Sequence, residues 1–162
     1  MEEELDRHRA RRLNQELRRH AAVRRAAGAL ERRDLSEAEL AERLARARVA
    51  PATSKETLSR LARSGAVDDE RFARHRAEVL AERGSGDALI RHDLEQRGIS
   101  AELVEVAVSD LAPERARAEQ EVQKRGATLK TARHLAGKGF SEDSIESAFA
   151  KGIAEDAPPV VR

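Results

Sequence analysis

The feature that most constrains this chain is an internal repeat. Residues 94–108 recur as residues 135–149 with a constant offset of 41 and a shared pattern, Leu-x3-Gly-apolar-Ser-x3-apolar-x2-Ala-apolar. An offset of 50 in the other direction aligns apolar positions of the preceding part of the chain: Leu40 with Ile90, Leu44 with Leu94, Leu58 with Val108. Repeats of this length indicate structural units that bury their apolar faces against one another. The sequence therefore predicts three units, over residues 20–61, 70–111 and 113–151.

Each unit is predicted to contain three helices. In the middle unit the first two helices span residues 69–83 and 87–97, with the Gly84-Ser85-Gly86 run between them. Gly98 follows the second helix, where a left-handed residue ends a helix and a Cβ is disfavoured. An apolar stripe at helical spacing then defines the third helix; its members are Val104, Ala107, Val108 and Leu111.

Helix caps mark the same boundaries in each unit. Ser100 is placed to cap the third helix of the middle unit, and Ser141 takes the equivalent position in the last unit. In the first unit, Ser36 and Glu39 have the spacing of a capping box at the start of the second helix. Asp69 is expected to cap the helix that follows the turn at residues 65–69.

Composition supports an all-helical fold. Helix-forming residues dominate, and the 162 residues include only three Phe and no Trp or Tyr, so no large aromatic core is available. We therefore expect an all-α protein built as tandem repeats of three-helix units that form an elongated, curved array. Residues 1–19 are expected to be a basic arm or a helix, and residues 154–162 a frayed tail, because Pro158-Pro159 cannot continue a helix.

The chain offers no recognisable catalytic constellation. It has no cysteine, its five histidines lack metal-ligand spacing, and Gly84-Ser85-Gly86 lacks the Gly-Lys-Ser/Thr of a phosphate-binding loop. No run of apolar residues is long enough for a signal peptide or a membrane span. We therefore expect a cytoplasmic protein that is not an enzyme and that needs no cofactor or metal.

Charge is distributed unevenly along the chain, although the net charge is only +1. Residues 7–33 hold ten Arg against Glu16 and Glu31, a net charge of +8. A block this dense can contact phosphates or an acidic partner surface. Alternatively it is a solvated helix face, since arginine is the common cation throughout this chain. Both interpretations stay open at this point.

The run from Leu61 to Ala73, Leu-Ala-Arg-Ser-Gly-Ala-Val-Asp-Asp-Glu-Arg-Phe-Ala, resembles the signature of the RecX family. The Gly98-Ile99-Ser100 and Gly139-Phe140-Ser141 turns match that family's second and third units. The resemblance covers about residues 20–150. One departure lies in the first unit, where Arg48-Val49-Ala50 stands in place of Gly-apolar-Ser and is followed by Pro51.

The resemblance implies a noncatalytic regulator of the RecA recombinase. Family members bind along the groove of the RecA–DNA filament and inhibit its recombinase, ATPase and SOS coprotease activities, and some also bind single- or double-stranded DNA. We expect a monomer that uses cations near helix ends, because the apolar stripes belong to the core. The candidate partner- or DNA-binding residues are Arg24, Arg25, Arg32, Arg33, Arg83, Arg91, Arg97, Lys124, Arg125, Lys130 and Lys138.

Two other function classes remain compatible with the sequence. Three-helix units are similar to helix-turn-helix modules, so the chain could bind DNA independently through its basic block. The near-neutral net charge weakens that interpretation, because duplex affinity depends on phosphate neutralisation. The second alternative is a helical-repeat adaptor with no role on nucleic acid.

Overall fold

The structure, a computed structural model, describes residues 1–155, apart from the side chains of residues 2, 3 and 153–155. Within that range it contains nine α-helices and no strand. The helices are α1 (Glu2–Leu30), α2 (Glu37–Arg46), α3 (Pro51–Arg63), α4 (Asp69–Glu82), α5 (Asp87–Gln96), α6 (Ala101–Ser109), α7 (Glu114–Arg125), α8 (Leu129–Gly137) and α9 (Glu142–Glu155). The all-α prediction is confirmed, with three helices for each of the three repeats in the sequence.

The described residues fall into two compact units, with the division after Phe72 inside α4. Unit 1 contains α1–α3 and the start of α4, and unit 2 contains the rest of α4 and α5–α9. The second and third sequence repeats therefore share one compact unit. The repeat boundaries themselves stay a prediction. The predicted tail at residues 154–162 starts within α9, and its residues 156–162 lie outside the described part of the chain.

The predicted serine caps are present. In α2 the Ser36 hydroxyl accepts a hydrogen bond from the Glu39 N–H, and the Glu39 carboxylate accepts one from the Ser36 N–H. Ser100 accepts from the Leu103 N–H at the start of α6, and Ser141 accepts from the Ser144 N–H at the start of α9. Each bond satisfies an amide that has no partner within its own helix.

The prediction that Asp69 caps α4 is wrong by one position. The Asp68 carboxylate accepts a hydrogen bond from the Arg71 N–H, which is the spacing of a helix cap. Asp69 already belongs to the helix, and its carboxylate accepts a hydrogen bond from the Glu37 N–H at 2.8 Å. Asp69 therefore ties the start of α4 to the start of α2.

The core of unit 1 is aliphatic. Ala26 and Ala29 of α1 pack with Leu40 and Leu44 of α2 and with Leu58 of α3. Only the last part of α1 takes part in this core, and residues 4–18 are exposed on every face. Unit 1 is thus a small three-helix core from which the first half of a 29-residue helix projects.

The cores of unit 2 follow the repeat. Ile90 and Leu94 of α5 and Val104 and Val108 of α6 are buried, as the apolar stripe predicted, while Leu111 is only half-buried. In the last repeat a second cluster joins α7, α8 and α9; it contains Ala118, Val122, Leu135, Phe140 and Ala148. In residues 1–155 no helix is long and apolar enough to cross a membrane.

Candidate interaction surfaces

Three of the predicted cations meet at one groove in unit 1, which we call the α1–α2 groove. Arg24 and Arg25 of α1, together with Arg32, two residues beyond its end, and Arg43 of α2, line a depression of about 370 Å³. Its remaining lining residues are small or aliphatic: Gly28, Ala29, Leu40, Leu44 and Ala47. The groove is therefore a ring of four guanidinium groups around an apolar floor.

Helical spacing explains why these side chains converge. Positions 24, 25 and 28 lie on one face of α1, and positions 40, 43 and 44 lie on the facing side of α2. Arg32 and Ala47 line the groove from the turns that follow these two helices. No carboxylate lines the groove. Among the described residues, none of the four arginines has a carboxylate partner, and all four are exposed. Their charge is therefore not offset by a carboxylate, in contrast to cations such as Arg91 and Arg97.

Arg33, the remaining candidate of unit 1, is placed differently. Its guanidinium lies 3.6 Å from the carboxylate of Glu39, the residue that completes the capping box of α2. The side chain of Arg33 is still largely exposed. It therefore stands outside the α1–α2 groove, next to a carboxylate that partly offsets its charge.

Two candidates of unit 2 are engaged in ion pairs. Arg91 donates two hydrogen bonds to the Glu105 carboxylate, at 2.8 and 3.2 Å, which joins α5 to α6. Arg97 and Arg76 both donate to Asp93, each at 2.8 Å from Nε to Oδ2. The hydrogen bonds from Arg76 and then Arg97 lower the pKa of Asp93 to about 2. These arginines therefore form contacts within unit 2 in the absence of a partner.

Arg83 and Lys138 flank the turns of unit 2. Arg83 follows the end of α4 and is exposed, with no carboxylate partner in the described part of the chain. Lys138 is half-buried, and its backbone carbonyl accepts a hydrogen bond from Gly86 at 2.8 Å. Arg83 is thus the more available of these two predicted side chains.

The cations of the last repeat divide into paired and unpaired groups. Lys124 and Arg125 both contact Glu121, at 3.1 and 2.9 Å, and Arg125 is the main cause of the lowered pKa of Glu121. Lys130 is exposed and lines a depression of about 260 Å³ with Arg125, Thr128, Thr131 and His134. The candidates Lys124, Arg125 and Lys130 thus lie around the turn between α7 and α8.

Unit 2 also contains a polar contact between its two repeats, which we call the interrepeat joint. Glu114 of α7 is its centre: its carboxylate accepts hydrogen bonds from the Asp87 N–H at 2.7 Å and from the Ser141 and Ser144 hydroxyls at 2.6 and 2.9 Å. Burial opposes the ionisation of Glu114, but these hydrogen bonds outweigh it, so the pKa is lowered. Glu114 therefore ties the start of α5 to the start of α9.

Arg117 completes the interrepeat joint. It is buried, donates to the backbone carbonyls of Ala112 and Ser85 at 3.0 and 2.6 Å, and forms an ion pair with Asp87. Its guanidinium also lies 5.8 Å from the centre of the Phe140 ring. Burial raises the pKa of Asp87, against the opposing effect of Arg117. A buried charge is tolerated here because its hydrogen-bonding capacity is used.

Two glycines allow the backbone before α5 and the backbone after α8 to approach closely at the interrepeat joint. The Ala88 N–H donates to the Gly139 carbonyl at 3.2 Å, next to the bond from Gly86 to Lys138. A Cβ added at Gly86 would collide with the backbone of Gly139 and Phe140, and one at Gly139 would lie 2.6 Å from the Leu89 nitrogen. Gly139 moreover has φ 81°, a conformation that favours glycine.

Sequence reasoning did not identify Arg43, Glu114 or Arg117 as members of these surfaces. The position of Arg43, three residues after Leu40 and one before Leu44, was a usable signal, because it places the side chain beside the buried face of α2. No local pattern marks Glu114 or Arg117, because most of their partners in the interrepeat joint lie 27–32 residues away in the chain. In the part of the chain that the structure describes, no three His, Asp or Glu side chains converge as a metal site would require.

The fold and these surfaces define a class of all-helical repeat protein whose charged side chains mediate contacts between its helices and form basic grooves. The model of the second three-helix domain of RecX matches residues 68–108. Regulatory protein RecX of Halorhodospira halophila is 33% identical over 137 residues, which cover 78% of this chain and 85% of that protein. Regulatory protein RecX of Chromohalobacter salexigens is 34% identical over 130 residues, 75% of this chain and 86% of that protein. The chain belongs to the RecX family.

Solved structures agree on the fold. The crystal structure of RecX from Lactobacillus salivarius has a TM-score of 0.74 at 17% identity and covers 85% of this chain and 97% of that chain. A second crystal structure of regulatory protein RecX has a TM-score of 0.68 at 20% identity, with 80% of this chain and 70% of that chain covered. The fold is therefore preserved at a sequence identity of 17–20%.

Proposed function

We propose that this protein is a noncatalytic regulator of RecA. It binds in the groove of the RecA–DNA filament in the cytoplasm, as a monomer and without a cofactor, and it inhibits recombinase, ATPase and SOS coprotease activities. The observation that carries this proposal is membership of the RecX family, whose two curated members at 33% and 34% identity are named regulatory proteins. RecA as the partner is what the resemblance to that family implies.

The repeated construction supports binding to a helical polymer. Three sequence repeats offer a contact surface each, and a filament presents its own subunits at regular intervals. Once one unit is bound, the next meets its site at a high effective concentration, so modest contacts add up to tight binding. Unpaired arginines of the α1–α2 groove, together with Arg83 and Lys130, are the cations most available for such contacts.

Binding measurements with separate components test the proposal. The labelled protein is titrated with RecA filaments assembled on single-stranded DNA with a nonhydrolysable ATP analogue, with RecA alone, and with the same DNA alone. We expect binding to the filament that tolerates added salt, and much weaker binding to the naked DNA. Each titration is repeated at several salt concentrations, because phosphate contacts weaken steeply with salt.

The alternative functions predict different patterns in the same titrations. Equally tight binding to naked DNA, with steep salt dependence, would identify an independent DNA-binding protein. Absence of binding to the filament and to DNA would favour an adaptor with another partner. Either pattern contradicts the proposed regulation of RecA through its filament.

A further inference from the structure

The positive charge of the α1–α2 groove, which no carboxylate in its lining offsets, exceeds the negative charge of a single phosphate or carboxylate. Four arginines, Arg24, Arg25, Arg32 and Arg43, line it and no acidic residue does. Guanidinium groups bind carboxylates and phosphates through paired hydrogen bonds, so the groove suits a ligand with several anionic groups. Charge alone leaves open whether that ligand is a protein or a nucleic acid.

The floor of the groove restricts the ligand further. Leu40, Leu44, Ala29 and Ala47 form its apolar lining, and Gly28 leaves an opening in the wall contributed by α1. A Cβ added at Gly28 would meet no atom within 4 Å. Gly28 thus leaves no side chain over the groove at this point, although no neighbouring atom requires its small size. A depression of about 370 Å³ can accept an aliphatic side chain.

This combination favours a peptide over a single-stranded nucleic acid. Single-stranded nucleic acids bind where aromatic side chains stack on their bases, and no aromatic residue lines the groove. An aliphatic side chain between carboxylates, by contrast, uses the apolar floor and the ring of arginines at the same time. The lining of the groove thus complements both parts of such a peptide.

We propose that the α1–α2 groove binds an acidic peptide segment of a partner protein, with one aliphatic side chain seated over Gly28 and flanking carboxylates paired with the four arginines. The inference deepens the proposed function and rests on it, because the RecA filament is then the source of the segment. It names the chemistry that unit 1 recognises, which the family resemblance does not provide.

The test distinguishes the contribution of the apolar floor to binding from that of the four arginines. The probe is a short synthetic peptide of glutamates around a central leucine, compared with the same peptide carrying serine in place of leucine and with a single-stranded oligonucleotide. Gly28→Leu fills the groove and leaves every arginine in place. Gly137→Leu is its matched control, because Gly137 is an exposed residue of α8 where an added Cβ meets no atom within 4 Å. Arg25→Glu with Arg43→Glu reverses the charge of the ring. Its control is Lys55→Glu with Arg63→Glu, two exposed positions of α3.

We expect the leucine peptide to bind the wild-type protein at least about tenfold more tightly than the serine peptide. Gly28→Leu and the Arg25/Arg43 variant should each weaken binding of the leucine peptide by about tenfold or more, while both controls retain it. Circular dichroism and thermal unfolding verify that each variant folds. Equal affinity for the two peptides, tighter binding of the oligonucleotide, or unchanged binding by Gly28→Leu would each overturn the inference.

Failure of this inference can be distinguished from failure of the proposed function. Each variant is also titrated with RecA filaments. If the wild-type protein binds filaments and neither Gly28→Leu nor the Arg25/Arg43 variant changes that binding, the proposed regulation of RecA stands and another surface mediates it. Absence of wild-type binding to filaments, with leucine-peptide binding intact, would preserve the groove and assign it to a different partner.

Discussion

At the scale of single residues, the second helix of each repeat is followed by a residue with positive φ, which is glycine in two repeats and arginine in the first. Gly98 and Gly139 follow α5 and α8 with φ 74° and 81°, as their position before an apolar residue and a serine predicted. Arg48 follows α2 with φ 57°, the only positive φ among the non-glycine residues that the structure describes. The sequence shows the departure at Arg48-Val49-Ala50, but it does not show that Arg48 adopts the same left-handed conformation as the two glycines, with the following Val49 packed against the core of unit 1.

Strain at Arg48 gives the first prediction. Left-handed backbone costs a residue with a Cβ roughly 1–2 kcal/mol, so Arg48→Gly should raise the free energy of unfolding by about 1 kcal/mol. Gly98→Val should lower it by about 1–2 kcal/mol for the same reason. Urea unfolding followed by circular dichroism measures both changes. Destabilisation by Arg48→Gly would show that the turn is unstrained or that the arginine side chain stabilises it.

At the scale of helices, the ends of elements were predictable and the contacts between them were not. Helices expected over residues 69–83 and 87–97 are found at Asp69–Glu82 and Asp87–Gln96, since caps and glycines act within a few residues. Ion pairs obey no such local rule. Arg91 and Arg97 were expected to face a partner, yet both contact carboxylates of unit 2.

The Asp93 site predicts how stability depends on acid. Arg76 and Arg97 lower the pKa of Asp93 from an ordinary 3.8 to about 2. A carboxylate with a lowered pKa in the folded state stabilises that state above its unfolded pKa, and the contribution disappears as pH falls from about 4 to about 2. Asp93→Asn should therefore lower the free energy of unfolding at neutral pH by about 2 kcal/mol and flatten its pH dependence in that range. Chemical unfolding at pH 7 and at pH 3 tests this, and an unchanged acid slope would contradict it.

The interrepeat joint predicts a local effect at Gly86. Because a Cβ there collides with the backbone of Gly139 and Phe140, Gly86→Ala should separate the turns before α5 and after α8 and cost roughly 1–3 kcal/mol. Amide hydrogen exchange at Ala88 and Ser141 should accelerate, while exchange in α2 of unit 1 stays unchanged. Gly28→Ala is the matched control, since its added methyl group meets nothing within 4 Å. Equal exchange rates in both variants would show that the joint does not hold the repeats together.

At the scale of the whole molecule, the repeat pattern and the family signature predicted the fold class and the family. The arrangement of the candidate surface was only partly predictable. Arg24 and Arg25 share a groove as members of one face of α1. Arg32 joins them from the turn after that helix, and Arg43 does so only because α2 packs against α1. The basic block of residues 7–33 likewise has two parts: the exposed first half of α1, and the arginines that line the α1–α2 groove. The sequence alone does not show this division, because it depends on the packing of the core of unit 1.

The rate of ATP hydrolysis by RecA on single-stranded DNA tests regulation of the filament most directly. RecA is mixed with increasing amounts of this protein, and with equal amounts of the Arg25→Glu/Arg43→Glu and Lys55→Glu/Arg63→Glu variants. We predict that the wild-type protein and the α3 control inhibit hydrolysis, and that reversing charge at the α1–α2 groove weakens inhibition by about tenfold in concentration. Hydrolysis that stays at its uninhibited rate at saturating wild-type protein would contradict the assignment of this chain as a regulator of RecA.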